Sequence, residues 1–170
     1  MIDHLPDRLD LMATAEAGRV MRGRIPVAAL ERLLPVLTSE QGELQVELNL
    51  GKDTGGTCFL AGTIEGEVTL RCQRCMQELQ LPLDLEFRLG LIRDESAADA
   101  LPDSYEPLAV TAEPALVADI IADEILLALP IVSLHKGSNE CHAVVKDYQP
   151  PQGEQRKNPF AVLAELKQKQ

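Results

Sequence analysis

The sequence predicts an α+β domain: a small antiparallel β meander or partly open barrel with two or three flanking helices, and a C-terminal helix on a flexible linker. The first observation is strict alternation in 79–91, where every odd position is Leu or Phe and the positions between are mostly polar. A period of two over that length is typical of a strand with one buried face. The second is the apolar pattern of 116–129, bounded by Pro114 and Pro130, which predicts a half-buried helix.

The remaining elements follow from the same patterns. The apolar spacing of 27–37, with residues at i, i+3, i+4 and i+7, predicts a short amphipathic helix that ends or kinks near Pro35. The other predicted elements, in chain order, are strand 43–50, turn 51–56, strand 57–72, strand 79–91, loop 94–107, short strand 108–110 and helix 116–129.

The end of the chain is predicted to lie outside the domain, which we assign to residues 1–144. Residues 145–157 are rich in Pro, Gly and Gln and are predicted to be a flexible linker. Asn158 and Pro159 suit the start of a helix over 158–170, whose apolar stripe is formed by Phe160, Leu163 and Leu166. That stripe is expected to dock on its own domain or on a partner.

The composition limits the classes of partner. The net charge of −11 argues against a generic nucleic-acid binder, and no DNA partner is expected, since phosphate binding depends on Lys and Arg. It favours basic partners, ribosomal proteins among them. Met1 to His4 show no positive region before an apolar run, and no apolar stretch reaches a membrane span, so a cytoplasmic, reduced protein is expected.

The turn between the two longest strands contains Cys72 and Cys75, separated by two residues. Such a pair on a hairpin tip can supply two ligands to a metal such as zinc, or it can simply pack a tight turn. A redox pair is less expected, because no helix begins after Cys75. His135 with Cys141, or Cys141 with His142, could complete one zinc site, whereas Cys58 is expected to pack in the core.

Arginines provide the candidate RNA contacts. Arg19, Arg22 and Arg24 form a small basic cluster in an acidic chain, either as a phosphate contact or as solvated charges on a strand edge. Arg71 and Arg74 lie near the turn that contains Cys72 and Cys75, which we call the cysteine turn. They could contact RNA, or they could be surface charges beside a turn.

Three carboxylates on the predicted helix 116–129 allow a different class of function. Asp119, Asp123 and Glu124 share one face and could bind Mg²⁺ in an RNA-processing enzyme. The simpler interpretation is the polar face of a half-buried helix, because no nucleophile or base accompanies them.

Four stretches resemble the YceD family, bacterial and plastid proteins named for large ribosomal RNA subunit accumulation. They are Val68–Cys75, Ala100–Pro107, Asp123–Val132 and Lys157–Lys167, in the same order as in the family. The resemblance implies a non-enzymatic ribosome-biogenesis factor that supports synthesis, processing or stability of large-subunit ribosomal RNA. The partners it implies are that RNA or its precursor, a basic ribosomal protein, or both.

The resemblance also bears on the metal. Many members of the family have a Cys-rich cluster after the Leu-Pro stretch, which would suit a metal site with the cysteine pair. This chain retains only His135, Cys141 and His142 there, so the site is either reduced or lost. The alternatives to a binding module are a metal-dependent RNA-processing enzyme and a thiol redox protein.

Overall fold

The structure is a computed structural model that describes residues 5–136 and Cys141. The strands are β1 (Arg8–Leu9), β2 (Arg19–Pro26), β3 (Glu43–Lys52), β4 (Cys58–Arg71), β5 (Glu78–Ile92), β6 (Glu106–Ala109) and β7 (Ala115–Leu116). The α-helices are α1 (Leu11–Glu16) and α2 (Val117–Ala128), and 3₁₀ turns cover Val27–Ala29, Leu34–Val36 and Glu95–Ala100.

The main sheet has five strands in the order β2-β3-β4-β5-β6. The first four are joined by antiparallel pairing, whereas β6 runs parallel to β5. The predicted antiparallel meander and α+β class are therefore confirmed, with an open sheet rather than a closed barrel. A second sheet, formed by β1 and β7, was not predicted, because two-residue strands leave no periodic pattern.

The core lies on one face of the main sheet. Alternation in β3 and β4 directs Leu48, Leu60 and Ile64 inward, where each is at most 1% exposed. From α2, Ile121 and Ile125 join the same apolar cluster and are fully buried. The predicted helix 116–129 is thus confirmed, and burying its apolar stripe is what holds it on the sheet.

The predicted helix over 27–37 is wrong. Residues Val27–Ala29 and Leu34–Val36 form separate 3₁₀ turns instead. Val27, Leu30 and Leu33 are all buried, and their spacing of three residues matches the 3₁₀ period. The segment between Pro26 and Pro35 is short, so the few hydrogen bonds of an α-helix there would not offset the free energy needed to nucleate it.

The N-terminal part contains a helix that the patterns did not predict. α1 has only six residues, and the Asp10 side chain caps it by accepting a hydrogen bond from the Ala13 N–H at 2.9 Å. The predicted linker 145–157 and helix 158–170, with Phe160, Leu163 and Leu166, lie outside the described residues. Within the described part of the chain, no helix is long and apolar enough to cross a membrane.

Candidate metal centre

The cysteine pair lies where the alternation predicted, in the turn that connects β4 to β5. Cys72 N–H donates to the Gln77 carbonyl at 2.9 Å, and Met76 N–H donates to the Cys72 carbonyl at 2.8 Å. Met76 adopts a left-handed backbone with φ of 61°, which closes this tight turn. Both thiols are folded inward, because Cys72 and Cys75 are no more than 1% exposed.

Two hydrogen bonds from Gln73 fix the segment after α2 against this turn. Gln73 N–H donates to the Ser133 carbonyl at 2.8 Å, and its side-chain amide donates to the Ile131 carbonyl at 3.5 Å. This attachment brings His135 to the cysteines, with its Nδ1 at 3.5 Å from the Cys75 sulfur.

The hydrogen bonding of His135 defines which ring nitrogen faces the sulfurs as a ligand. Nε2 lies 3.0 Å from the backbone carbonyl of Glu78. A carbonyl oxygen only accepts, so Nε2 carries the proton and donates. In the neutral ring, Nδ1 then presents a lone pair toward Cys75, which is how protein carbonyls orient metal-binding histidines.

Four candidate ligands come together here. The ligand atoms of Cys72, Cys75, His135 and Cys141 all lie within 4.8 Å of one another, close enough to hold a metal ion. Within residues 5–136 and Cys141, no other group of three or more Cys, His, Asp or Glu lies as close. Of the two pairs that could supply the third and fourth ligands, His135 with Cys141 is the pair that is brought together, and His142 lies outside the described residues.

The donor set fits zinc. Three thiols and one imidazole are the soft and borderline ligands of a structural zinc site, which is tetrahedral and closed to water. All three cysteines are buried, as a closed site requires. The fourth cysteine, Cys58, is not in the cluster, since it packs in the core at the far end of β4, as predicted.

The pKa of Cys72 suits a metal ligand. Burial raises the pKa of this thiol, but hydrogen bonds from the backbone amides of Cys75 and His135 outweigh that effect and lower the pKa to about 5. Metals bind the thiolate, so a thiol ionised at neutral pH loses little binding free energy to proton competition.

The five candidate arginines fall into two groups. Arg71 and Arg74 are exposed beside the cysteine turn and make no ion pair with another described residue. Arg19, Arg22 and Arg24 lie on β2, an edge strand of the main sheet. There Arg22 pairs with Glu47 at 2.8 Å and Arg24 with Glu43 at 3.8 Å, so the positive charge of this second group is partly compensated.

Sequence patterns missed the apolar residues around the site. Ile131 is 96% exposed and Met76 58% exposed, and the Gln73 hydrogen bonds place their segments side by side. Both residues lie outside any periodic segment, so no pattern could identify them. Together with Arg71 and Arg74 they give the cysteine turn a surface that is both basic and apolar.

The three candidate carboxylates of α2, Asp119, Asp123 and Glu124, do not share one environment. Asp123 accepts a charged hydrogen bond from Arg32 at 2.6 Å. Burial raises the pKa of Glu124, and the negative charges of Glu106 and Asp123 raise it further. Asp119 forms no close group of metal ligands with them among the described residues.

Comparison with known proteins identifies the family. The family model described as "Large ribosomal RNA subunit accumulation protein YceD" matches residues 60–167. A protein of the same name from Haemophilus influenzae is 32% identical in an alignment 171 positions long, and the match covers 97% of this chain and 97% of that protein. No solved structure matches the chain.

The chain therefore belongs to the YceD family, as the resemblance predicted. The matched region contains all four members of the cysteine–histidine cluster.

Proposed function

We propose that this protein is a ribosome-biogenesis factor that supports the synthesis, processing or stability of large-subunit ribosomal RNA as a non-enzymatic binding module. Its family is named for the accumulation of that RNA. The observation that carries the proposal is the joint placement of a four-ligand cluster and two exposed arginines at one hairpin tip.

The first part of the proposal is that Cys72, Cys75, His135 and Cys141 bind one zinc ion. The sulfur and imidazole ligands favour zinc over magnesium or calcium, which prefer oxygen. The bound ion would join the β4–β5 turn to the segment that follows α2. The Glu78 carbonyl would act on the site indirectly, by holding His135 in the required tautomer.

The second part is that Arg71 and Arg74 contact RNA phosphates. The net charge of −11 repels a polyanion, so RNA binding needs a local region of opposite sign. The cysteine turn offers one, and the neighbouring exposed Met76 and Ile131 can pack against unpaired bases. Arg19, Arg22 and Arg24 would make at most a secondary contact, because two of them are ion-paired.

The partners in this proposal are large-subunit ribosomal RNA or its precursor, together with a basic ribosomal protein, and the site of action is the cytoplasm. The test begins with lysate sedimented through a sucrose gradient at low salt. The protein should travel with the large subunit or its precursors and should leave them at high salt.

Purified protein then tests the arginines. Arg71→Glu/Arg74→Glu should weaken binding of a large-subunit precursor transcript by at least about tenfold. The matched control is Arg8→Glu/Arg93→Glu, which makes the same change in charge away from the turn. Equal affinity for the two double variants would remove Arg71 and Arg74 from the proposal.

The pKa of Cys72 favours one second candidate, a thiol redox protein, because low-pKa thiols also react with disulfides. The two candidates differ in what oxidation should do. A redox protein forms a reversible Cys72–Cys75 disulfide without losing function, whereas a zinc-binding module loses both its metal and its RNA affinity on oxidation. Metal content and transcript binding, measured before and after treatment with oxidised glutathione, separate them.

A further inference from the structure

In the part of the chain that the structure describes, the outer edge of β5 has no strand partner over most of its length. β5 pairs with β4 from Glu78 to Gly90, but β6 covers only Leu89 to Ile92 on the other side. Among the described residues, no strand pairs with the outer edge between Glu78 and Arg88. An unpaired strand edge offers backbone donors and acceptors to any extended chain that fits beside it.

Two contacts show which residues direct their backbone groups outward. The Ile92 carbonyl accepts from Val110 N–H at 2.8 Å, and the Glu78 carbonyl accepts from His135. Both residues are even-numbered, so the alternation of an antiparallel ladder turns the even-numbered residues between them outward as well. The position of Pro82 is consistent with this assignment. Proline has no backbone N–H, so an outward-facing position leaves the hydrogen bonds between β4 and β5 intact.

Pro82 also limits the edge. It removes one outward donor, so the longest stretch with uninterrupted outward N–H donors is Asp84–Arg88. We call this stretch the open edge. Its outward residues supply three N–H groups, from Asp84, Glu86 and Arg88, and two carbonyl groups, from Asp84 and Glu86. The Arg88 carbonyl is used in the parallel pairing of Leu89 with Glu106.

A negatively charged cavity lies beside the open edge. It has a volume of about 510 Å³, and its lining includes Leu85–Arg88, residues 103–106, Glu124 and Leu127. Four carboxylates line it against a single cation, Arg88; they are Glu86, Asp103, Glu106 and Glu124. Leu127, which is 75% exposed, adds apolar surface to the same wall.

We propose that the open edge and this cavity bind an extended, lysine- or arginine-rich peptide segment of a partner protein by β-strand addition. Backbone hydrogen bonds to Asp84, Glu86 and Arg88 would align the segment as a further strand. Its basic side chains would face the four carboxylates, and an apolar side chain would cover Leu127. The same carboxylates repel nucleic acid, so this surface is distinct from the proposed RNA contact at the cysteine turn.

The inference goes beyond the proposed RNA binding and stands without it. The probe is a fluorescein-labelled ten-residue peptide of alternating Val and Lys, added to the full-length protein. Alternating Val and Glu gives the control peptide. Anisotropy measures affinity, and amide hydrogen exchange followed by NMR locates the contact.

We expect the Val-Lys peptide to bind at least about tenfold more tightly than the Val-Glu peptide. The amides of Asp84, Glu86 and Arg88 should exchange more slowly with peptide bound, while those of Leu85 and Phe87 should not change, because they already point to β4.

Two protein variants test the two halves of the contact. Glu86→Pro removes one outward N–H with the same geometry as Pro82 and should weaken binding, provided that it folds. Glu124→Lys reverses one cavity charge on a helix surface and should weaken binding about tenfold. Glu31→Lys, an exposed site on neither surface, is the matched control and should bind as the unchanged protein does.

Several results would overturn the proposal. They are equal binding of both peptides, undiminished binding by Glu124→Lys, slow exchange of the three amides already in the free protein, and protection of the open edge by the RNA transcript. Cys72→Ser/Cys75→Ser should keep peptide binding, so failure of the RNA proposal would not be mistaken for failure of this one.

Discussion

The two ends of the β4–β5 hairpin are stabilised in different ways. At the base, Cys58–Glu65 of β4 lies between β3 and β5, and its inward side chains are buried in the core. Beyond Glu65 the pairing with β3 ends, and the hairpin continues as a ribbon to the cysteine turn. There the ribbon is joined to the rest of the domain by backbone contacts to Thr38 and Ser39 and, at its tip, by the Gln73 hydrogen bonds.

The two ends of the hairpin therefore depend on different interactions, and the four-ligand cluster matters at the tip. Apolar burial is sufficient to define the base, because its residues contact the core on one face and two strands at their edges. The ribbon beyond Glu65 still places Val68 and Leu83 in the core, but within the cysteine turn itself the buried side chains are the two thiols. A bound metal would therefore supply at the tip the free energy that a core supplies elsewhere. Disturbing each end separately tests the comparison.

The largest effect should come from removing the cysteine ligands. Cys72→Ser/Cys75→Ser should reduce bound zinc from about one ion per chain to none, because two of the four ligands are lost. Metal content after purification measures this directly. Amide exchange at the tip should rise strongly while exchange at the base stays slow.

The matched control for that variant is Cys58→Ser, which changes a buried thiol at the base. It should keep its zinc. Loss of metal from this control, or unchanged exchange at the tip of the double variant, would contradict the division of the hairpin into two differently stabilised ends.

A core substitution beside the base should lower the stability of the whole domain but leave metal binding intact. Leu48→Ala removes a side chain that is 1% exposed and should cost about 3 kcal/mol of unfolding free energy through lost burial and the remaining cavity. Urea unfolding measures the change, with the half-exposed Val36→Ala as the control that should cost less than about 1 kcal/mol. The folded variant should still bind zinc.

Gly62 lies in the base of the hairpin, opposite Leu48 of β3 and Phe87 of β5. An added Cβ at this position would overlap the Phe87 ring from β5 and approach Leu48 Cδ2 at 3.1 Å. Gly62→Ala should therefore cost about 2 kcal/mol, because the ring must move in a packed core. Combining it with Phe87→Leu should cost less than the sum of the single changes, since the smaller side chain leaves room for the methyl group. Additive costs would show that the ring is not the obstacle.

Much of this fold could be predicted from the sequence, because its long strands alternate without interruption. Strands β3, β4 and β5 and helix α2 agree with the predicted segments, and the cysteine pair is in the predicted turn. Each of these signals is local and repeated over many residues. The failures are where the signal is short or ambiguous: the 27–37 segment has a period of three that suits either helix type, and α1 has only six residues.

The candidate site was predictable only in part. The sequence identified the two cysteines and offered His135 with Cys141, or Cys141 with His142, as their complement. The sequence could not decide between these two pairs, because the answer depends on which residues the Gln73 hydrogen bonds bring to the turn. His135, for example, is 60 positions away from Cys75 in the chain. The open edge of β5 was equally hidden, since which flank of a strand stays unpaired is decided by topology and not by its own residues.

The smallest expected effect is the pH-dependent contribution of Glu124 to the free energy of unfolding. The pKa of Glu124 is raised above its ordinary value of 4.5 by burial and by the charges of Glu106 and Asp123, so the folded state holds its proton more tightly than the unfolded state does. The contribution of this carboxyl to stability is therefore complete below pH 4.5 and is lost as the pH rises through the raised value. Glu124→Gln should stabilise the protein at pH 7 by about 0.5 kcal/mol, a small amount because solvent screens a half-exposed group. At pH 4 the variant and the unchanged protein should unfold at the same urea concentration, and a stabilisation that persists there would show that charge is not its origin.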